Sequence, residues 1–571
     1  MKMLDLCCRT NIAKVAIASL VTITAAQSMA EDKRYGGELT LVASHTDAHV
    51  RNFNPYNYSV GSYHSQDFIY EPLWVYNIAN PGKDFPRLAT SFEVAKDLLS
   101  VTYQLREGVK WSDGETFNAD DVIFTVDLAK AHPDYPVGLD FQKPDNPGGL
   151  LKHVVKNSDY SVTFHLSKPS ALAHEKIGRI YPLPEHIWRK VDNPSTFTNE
   201  SPVGTGPFTE VESFRVSQFK LCKNPNYYVN KAPYIQCLKF PQYSGNDQTA
   251  VAAARGKIDW MGEGMTDPEK TYANKHEGNK YWLPAGGNTN LQLNTRKAPF
   301  NDLAFRQAMS IAIDRPTILE VATFGLTTAT KYPIGTGEFY KGWYNANSLK
   351  SYEYLMEYNP TRAAQILEKA GYKDRDNDGW RELPNGEPLA FNLSVPSGWT
   401  DWVNTMMTIS ENLQDVGIQA NLHTPDDTSW FATIEEGDFD VYIMWIHQYV
   451  TPHGTYADMF NPEAMKDGQR SAQTMHGMDI PEINALLDKF AQTPELAKQR
   501  QYIDQVHQLV AENLPVISLF ANPDWYQYND SRFEGWVTPD NPYVRPMVHQ
   551  GIPERLIHVL NLSLKHGIAA K

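Results

Sequence analysis

Apolar and polar residues follow two different periods along this chain, and segments of both kinds recur from end to end. Three segments show strand-like alternation, which is typical of half-buried strands: residues 38–43, 100–106 and 161–166. Four segments carry apolar residues at helical spacing: residues 119–131, 303–313, 360–370 and 405–416. The mixture of the two periods predicts an α/β protein.

One stretch in the second half of the chain predicts a strand–helix–strand unit. An apolar strand at residues 391–395 precedes the helix at 405–416, and Gly417 follows that helix at the position of a C-cap. Residues 418–422 then resume a strand pattern. This order is typical of a βαβ unit, in which two strands of one sheet run parallel.

Residues 1–30 predict a cleavable signal peptide. A short basic stretch leads into an apolar run at 15–26 and then into a small-x-small end at 28–30. The apolar run is shorter than the roughly 20 residues that span a bilayer, and no later segment is a candidate. Cys7 and Cys8 precede the run, which argues against a lipoprotein. We therefore expect a soluble protein exported to the periplasm of a two-membrane bacterium.

Charge and size narrow the function classes. Cleavage after residue 30 removes three positive charges and one negative charge, so the formal net charge changes from −15 to about −17. This excess disfavours nucleic acids, anionic membranes and polyanionic ligands as partners. The chain also exceeds the roughly 250 to 300 residues that one core supports, so we expect at least two lobes. We expect a monomer without a cofactor.

Two cysteines remain after cleavage, Cys222 and Cys237. In an oxidising compartment this pair predicts a disulfide, which would stabilise the fold by about 3 kcal/mol through loop closure. The alternatives are a metal pair and a reactive thiol. No histidine lies near enough in the sequence to suggest a metal site, and two ligands rarely suffice.

The chain has thirteen tryptophans and thirty tyrosines, and two tryptophans flank a carboxylate. Trp399, Asp401 and Trp402 directly follow the predicted strand at 391–395, in the place where open α/β sheets bind ligands. An indole covers the apolar face of a sugar ring, and a carboxylate accepts hydrogen bonds from hydroxyl groups. Core packing is the alternative for any one tryptophan. For Trp399, in a polar loop, we favour a site for an amphipathic, uncharged ligand.

Two groups of residues raise the question of metal binding. Residues 374–379, with Asp374, Asp376 and Asp378, resemble the opening of a calcium loop, but Asn385 holds the position where an EF-hand has a bidentate glutamate. A solvated turn is the favoured interpretation, and a structural calcium ion is the alternative.

A second candidate is the loop that contains His447 and His453. A metal site would need a third ligand at a defined spacing, and none is present in the sequence. We therefore interpret both histidines as polar lining or surface residues and predict no metal.

Catalysis finds little support in the sequence. There is no Gly-x-Ser-x-Gly elbow, His-Glu-x-x-His helix or phosphate-binding loop. Glu435 and Glu436 could be the paired carboxylates of a glycoside hydrolase, but adjacent residues on a helix or strand point apart. We predict that the protein is not an enzyme.

Several short motifs are spread along the chain in a fixed order. Residues 205–209 read Thr-Gly-Pro-Phe-Thr, and residues 224–228 read Asn-Pro-Asn-Tyr-Tyr. Further motifs lie at residues 36–40, 69–73, 105–114, 117–122, 305–309, 314–315 and 514–517. Together they resemble the extracytoplasmic solute-binding proteins of ABC transporters in the peptide, nickel and oligosaccharide family, also called family 5.

This resemblance implies the two-lobed periplasmic-binding-protein fold, in its large type II variant with an extra subdomain and a hinge between the lobes. Lobe I would combine residues 31–75, 208–290 and 515–571. The extra subdomain of lobe I would span residues 76–207, and lobe II residues 291–514.

The chitin-oligosaccharide-binding branch of the family is the nearest resemblance. The cysteine pair supports it, as do four segments, at residues 51–55, 397–401, 533–536 and 551–555. In that branch the tryptophans that match Trp399 and Trp536 stack on sugar rings, and the residues that match Asp401 and Arg51 make polar contacts.

The chain departs from that branch after the predicted strand at 439–444. Trp445 and His447 stand where the chitin binders carry an asparagine and an aromatic ring. The departure weakens the expectation of N-acetyl recognition and leaves the oligosaccharide class, with Trp445 and His447 as further candidate ligand contacts.

We therefore hypothesise a periplasmic receptor that closes two lobes around a chito- or cello-oligosaccharide-like ligand and delivers it to an inner-membrane ABC permease. The alternative within the same class is an oligopeptide receptor, in which Asp401 and Arg51 could hold the peptide amine and carboxylate. A glycoside hydrolase is the remote alternative.

Overall fold

A computed structural model describes residues 33–57, 60–139, 141, 149–461, 476–549 and 551–569, without the side chains of residues 60–63. The predicted signal peptide at residues 1–30 lies outside these residues. The described chain is a mixture of helices and strands, as the two sequence periods predict.

The strands are β1 (Glu38–Val42), β2 (Trp74–Val75), β3 (Phe85–Pro86), β4 (Ala89–Val94), β5 (Ser100–Leu105), β6 (Leu151–Ser158), β7 (Ser161–Leu166), β8 (Phe208–Arg215), β9 (Gln218–Lys223), β10 (Cys237–Pro241), β11 (Trp260–Met261), β12 (Asn279–Tyr281), β13 (Ala285–Leu293), β14 (Ala390–Ser394), β15 (Gln419–His423), β16 (Val441–Trp445), β17 (Val516–Pro523), β18 (Gln527–Asn529), β19 (Phe533–Glu534) and β20 (Ser563–Leu564).

The helices are α1 (Val60–Ile69), α2 (Ala119–Ala131), α3 (Ala173–Ile177), α4 (Glu185–Trp188), α5 (Asn246–Ala254), α6 (Pro268–Thr271), α7 (Leu303–Ala312), α8 (Arg315–Thr323), α9 (Ala346–Leu349), α10 (Pro360–Ala370), α11 (Thr400–Gln414), α12 (Asp427–Glu436), α13 (Pro452–Met459), α14 (Pro481–Ala491), α15 (Leu496–Asn513) and α16 (Glu554–Asn561). Short 3-10 segments lie at Ala273–Lys275, Glu338–Trp343 and Lys350–Met356.

A seven-stranded sheet has the order β12-β18-β11-β1-β10-β9-β8. Its strand β1 runs parallel to both β10 and β11, while the other neighbours pair antiparallel. The carboxyl ends of β10, β1 and β11 therefore lie at one edge of the sheet. Leu39 and Leu41 of β1 are fully buried in a core that this sheet shares with the four-stranded sheet β4-β5-β7-β6.

A five-stranded sheet has the order β15-β14-β16-β13-β17. Its strands β14, β15 and β16 run parallel, and β13 pairs antiparallel with β16 and β17. The parallel pair β14 and β15, joined through α11, confirms the predicted βαβ unit. The carboxyl ends of β14, β15 and β16 lie together at one edge.

Helix α11 begins five residues earlier than residue 405, where the sequence places its start. Thr400 and Asp401 form its first turn, and Trp399 is its N-cap residue. The polar residues of this turn hide the helical period, because Thr400 and Asp401 face Asn246 instead of the apolar core. The candidate residue Asp401 therefore lies on a helix and not in a loop.

The chain crosses between the seven-stranded and five-stranded sheets twice, at residues 282–284 and 524–526. The two crossings are hydrogen-bonded to each other: Trp282 N–H donates to the Tyr526 carbonyl at 3.0 Å, and Asp524 N–H donates to the Pro284 carbonyl at 2.8 Å. Arg545 clamps Asp524 with two hydrogen bonds of 2.7 Å, and both side chains are buried.

The predicted lobe boundaries at 290/291 and 514/515 fall inside or next to strands of the five-stranded sheet. The boundaries assign residues 285–290 of β13 and all of β17 to lobe I, although both strands belong to the same sheet as β14, β15 and β16, which the boundaries assign to lobe II. Strands β13 and β17 both belong to the five-stranded sheet, and both lie in the part of the chain between the two crossings. The division of the chain into lobes by residue number stays a prediction.

The predicted disulfide between Cys222 and Cys237 is confirmed. The two residues face each other directly in the antiparallel pair β9 and β10, and their sulfurs are bonded. The bond joins the strands on either side of the loop at residues 224–236, which contains the Asn-Pro-Asn-Tyr-Tyr motif. It therefore links two adjacent interior strands of the seven-stranded sheet.

Loss of this bond should destabilise the protein by about 3 kcal/mol, since it closes a loop of 15 residues. We expect no free thiol in the denatured, unreduced mature protein, and a lower midpoint in urea for the double substitution Cys222→Ser and Cys237→Ser. Thiol titration and urea unfolding measure the two effects. Two reactive thiols in periplasmically expressed protein would contradict this prediction.

Candidate functional site

The carboxyl edges of the seven-stranded and five-stranded sheets meet at one place. His45 follows β1 and Glu263 follows β11 on one side, while Trp399 and Asp401 follow β14 and Trp445 ends β16 on the other. Loops at such edges are where α/β sheets bind ligands. The place where the edges meet is therefore the candidate site.

Residues after β10 and β14 hold the two edges in contact. Asn246 N–H donates to the Gly398 carbonyl at 3.3 Å, and the Asn246 side-chain amide donates to Asp401 Oδ1 at 3.1 Å. Gly264 passes close to the same group, because a Cβ atom there would lie 2.8 Å from Asp401 Oδ1. Any larger residue at position 264 would push the edges apart.

Three tryptophans form a cluster on the five-stranded side. The ring centroids of Trp399 and Trp402 are 5.1 Å apart, and Trp445 lies 5.5 Å from each of them. Trp399 also contacts Trp430 at 5.7 Å. Trp402 and Trp430 are buried, whereas Trp399 and Trp445 are half-buried. The cluster therefore has a core side and a side that other groups can reach.

Three carboxylates lie at the same edges, and burial raises the pKa of each. The pKa of Glu263 rises to about 8, through burial and through the negative charges of Asp401 and Asp427. Burial likewise raises the pKa of Asp401 and of Asp427 to about 6 each. The Asn246 amide opposes part of the shift on Asp401. The site is therefore a sparsely solvated acidic region.

His45 is the closest ionisable partner of Glu263. Its Nε2 atom lies 3.3 Å from Glu263 Oε2, and both side chains are nearly fully buried. Burial lowers the pKa of His45 to about 4. The ring is therefore neutral at neutral pH, so it does not balance the charge of the carboxylates.

Two predicted site residues lie elsewhere in this conformation. Arg51 is exposed, and among the described residues its side chain contacts the Glu200 carbonyl at 3.2 Å and the Phe214 ring at 5.9 Å. Trp536 is 6% exposed; its ring lies 5.1 Å from that of Tyr528, and its N–H donates to the Phe533 carbonyl. Trp536 thus belongs to the core of the seven-stranded sheet here. The roles of both as ligand contacts stay predictions.

His447 lies on the loop after β16, with an exposed side chain. Its Nδ1 atom is 3.6 Å from Asp458 Oδ2. His453 instead packs on Phe490, and burial lowers its pKa to about 4. The two histidines therefore face different surroundings, and the contact of His447 with a ligand stays a prediction.

The loop at residues 374–379 forms a turn in which its own carboxylates accept backbone N–H groups. Asp374 accepts from Gly379, Asp376 from Asp378, and Asp378 from Trp380. Oxygens of Asp374, Asp376 and Glu382 lie within 4.8 Å of one another. These contacts are those of the favoured solvated turn, and the calcium alternative stays untested.

Sequence reasoning missed His45, Asn246, Glu263 and Asp427. Strand β11 has two residues, so it gives no alternation that would mark Glu263 as lying at a strand end. The Gly-Glu-Gly sequence at 262–264 was the available signal, because paired glycines often mark a close approach of the backbone.

Comparison with known proteins identifies the family to which this chain belongs. Residues 85–467 match the family described as bacterial extracellular solute-binding proteins, family 5 Middle. The chain belongs to this family. The resemblance read from the motifs is thereby confirmed, as is the two-domain α/β fold of periplasmic binding proteins.

Curated relatives of this family 5 protein bind different ligands. The oligopeptide-binding protein AppA of Bacillus subtilis is 25% identical over 478 residues, which cover 78% of this chain and 81% of AppA. The nickel-binding periplasmic protein of Escherichia coli is 26% identical over 483 residues, covering 80% and 85% respectively. Family membership therefore establishes a solute-binding protein of an ABC importer without naming the solute.

Solved structures include a neighbour that holds a sugar. A periplasmic oligopeptide-binding protein of Thermotoga maritima, bound to mannohexaose, superimposes with a TM-score of 0.84 at 25% identity, covering 93% of this chain and 99% of that one. AppA of Bacillus subtilis in complex with a nonapeptide superimposes with a TM-score of 0.76 at 21% identity, covering 93% and 100%.

The homologues are transport proteins of the extracytoplasmic space, and several are named periplasmic. Within the described residues of this family 5 protein, no helix combines the length and apolar character needed to cross a membrane.

The two central tryptophans should respond differently to truncation. Trp402 is 3% exposed, so Trp402→Ala should leave a cavity and cost about 3 to 5 kcal/mol of unfolding free energy. Trp399→Ala should cost clearly less, because that ring is already half-exposed. Urea unfolding of the ligand-free variants measures both. Equal losses would mean that Trp399 is a core residue.

Stability should depend on pH through Glu263. Because its pKa in the folded protein is raised from 4.5 to about 8, the proton it holds stabilises the fold fully below about pH 4.5, and this contribution is lost as the pH rises through about 8. Glu263→Gln stays neutral, so its melting temperature should exceed that of the unaltered protein increasingly over this range. The exposed Glu435→Gln is the control and should show a constant difference.

Proposed function

We propose that the protein is a periplasmic receptor that captures an oligosaccharide between the facing sheet edges and delivers it to an ABC permease. The observation that carries the proposal is the cluster of Trp399, Trp402 and Trp445 beside the carboxylate of Asp401. Half-buried indoles next to hydrogen-bond acceptors suit a ring that is apolar on its face and polar at its rim.

The position of the cluster supports a binding role as well as a packing role. Trp402 and Trp430 anchor it to the core, and this support holds Trp399 and Trp445 in fixed orientations. A platform that is rigid before binding loses little side-chain entropy when a ligand stacks on it. The neighbour that binds mannohexaose shows that this fold accommodates a sugar chain in at least one protein.

Closure is the mechanism that we infer for capture. The Asn246 contacts to Gly398 and Asp401 join residues from the two sheets, and they exist only while the edges touch. A ligand that contacts both edges binds the closed form more tightly, and it therefore shifts the equilibrium towards closure. No covalent step is needed.

An oligopeptide receptor is the second candidate, because peptide receptors are prominent among the relatives. Its sequence-based support was the pairing of Asp401 with Arg51 as holders of the two peptide ends. Arg51 contacts Glu200 and Phe214, whereas Asp401 contacts Asn246. These separate surroundings give no support to a pairing of the two residues around one peptide, so the oligosaccharide proposal depends on the tryptophan cluster.

Ligand titration tests the proposal. We expect saturable, micromolar or tighter binding of cello-, chito-, xylo- or manno-oligosaccharides to the mature protein, with a change in tryptophan fluorescence as an indole stacks on sugar. Tri- to pentapeptides of mixed sequence form the competing series. Binding to peptides alone would overturn the proposed function.

Trp399→Ala should weaken the affinity for the bound oligosaccharide at least tenfold, which corresponds to about 1.4 kcal/mol. Trp343→Ala is the matched control, since Trp343 is also half-buried but packs on Phe490 and Arg500. It should leave the affinity within about twofold. Calorimetric titration of both folded variants separates a lost contact from a lost fold.

A further inference from the structure

The acidic region at the facing edges consists of Glu263, Asp401 and Asp427. The charges that act on Glu263 are those of Asp401 and Asp427, and Asp427 in turn lies near Asp47 and Asp426. Within the described ranges, Glu263, Asp401 and Asp427 form no ion pair with a lysine or arginine. Such a region attracts a cation from outside the protein.

One carboxylate oxygen in this region lacks a partner among the described residues. Glu263 is 7% exposed, and its Oε1 atom is buried without a hydrogen bond. Its other oxygen faces the neutral ring of His45 at 3.3 Å. Buried charged or polar groups in proteins are almost always paired. The free oxygen therefore points to a donor that the ligand supplies.

The backbone around Glu263 is shaped for close approach on both sides. A Cβ atom at Gly262 would lie 2.6 Å from the His549 ring, and one at Gly264 would lie 2.8 Å from Asp401 Oδ1. These two glycines let the segment that carries Glu263 pass close to His549 on one side and to Asp401 on the other. Asp401 and Asp427 are near enough that their negative charges act on Glu263.

We propose that Glu263, with Asp401 and Asp427, forms a subsite for a protonated amino group on the ligand, so that the receptor prefers oligosaccharides of a hexosamine with free amines. An ammonium group carries three N–H donors and no acceptor, which suits a cluster of carboxylate oxygens. A neutral hydroxyl group donates once and leaves the negative charge unbalanced.

This inference rests on the proposed function and narrows its ligand. The tryptophan cluster begins two residues before Asp401, so a sugar ring stacked there can present a substituent to the carboxylates. An amino sugar satisfies both features at once. The inferred ligand is therefore positively charged, whereas the sequence alone favours an uncharged ligand.

The test compares three tetrasaccharides by calorimetric titration at neutral pH: the glucosamine tetramer, the N-acetylglucosamine tetramer and cellotetraose. We expect the glucosamine tetramer to bind at least tenfold more tightly than either neutral sugar. Its affinity should also fall as salt is added, while the affinity for cellotetraose should not, because only the charged ligand is screened. This salt comparison uses the unaltered protein.

Two substitutions test whether the carboxylates cause the preference for the glucosamine tetramer. Glu263→Gln and Asp401→Asn should each reduce the preference for the glucosamine tetramer at least tenfold, and the exposed Glu435→Gln should leave that preference unchanged. Equal affinities for the three sugars, or a preference that both site variants retain, would overturn this inference while leaving the oligosaccharide function in place.

Titrations with peptides distinguish a failure of the proposed oligosaccharide function from a failure of the amino-sugar subsite alone. Trialanine and N-acetylated trialanine are titrated beside the sugars. If the free peptide binds, its acetylated form does not, and none of the sugars binds, both the oligosaccharide function and the amino-sugar subsite are overturned. Binding of the glucosamine tetramer with no response to either peptide supports both.

Discussion

The pairing of the two chain crossings is the constraint on which the site depends. Segments 282–284 and 524–526 are three residues each, so neither can span more than about 10 Å. They also hydrogen-bond to each other, and Arg545 fixes one of them through Asp524. The short, paired crossings therefore restrict how far the two sheets can separate. In the described conformation this restriction holds their carboxyl edges against each other.

The directions of the parallel strands determine which residues lie at the carboxyl edges of the two sheets. Three parallel strands end at each edge, β10, β1 and β11 on one side and β14, β15 and β16 on the other. Their following residues supply Asn246, His45 and Glu263, and opposite them Asp401, Asp427 and Trp445. The five-stranded side contributes the tryptophans and two carboxylates, and the seven-stranded side contributes Glu263. A ligand that contacts Glu263 as well as the tryptophans must bridge the two sides.

Part of this site could be predicted from the sequence, because some of its residues lie next to segments with a clear strand or helix pattern. Strand β14 and helix α11 carry recognisable periods, so Trp399 and Asp401 could be placed between them, at a strand end. Glu263 could not, since β11 is two residues long and its neighbours in space, His45 and Asp401, are far away in the chain. Trp536 is the opposite case. Its sequence motif predicted a ligand contact, but the folded structure shows that its ring packs against Tyr528 and that its N–H donates to the Phe533 carbonyl.

The acidic edges also explain why closure should depend on a ligand. Bringing Glu263, Asp401 and Asp427 together costs solvation and adds repulsion, which their raised pKa values express. The hydrogen bonds of Asn246 offset only part of that cost. Without a ligand the closed form keeps a proton on Glu263 at neutral pH, because the pKa of that group is about 8. A cation bound between the edges would let all three groups stay charged and paired. The same carboxylates that oppose empty closure would then stabilise the loaded form, which is the behaviour that a transport receptor needs if it is to present itself to a permease only when occupied.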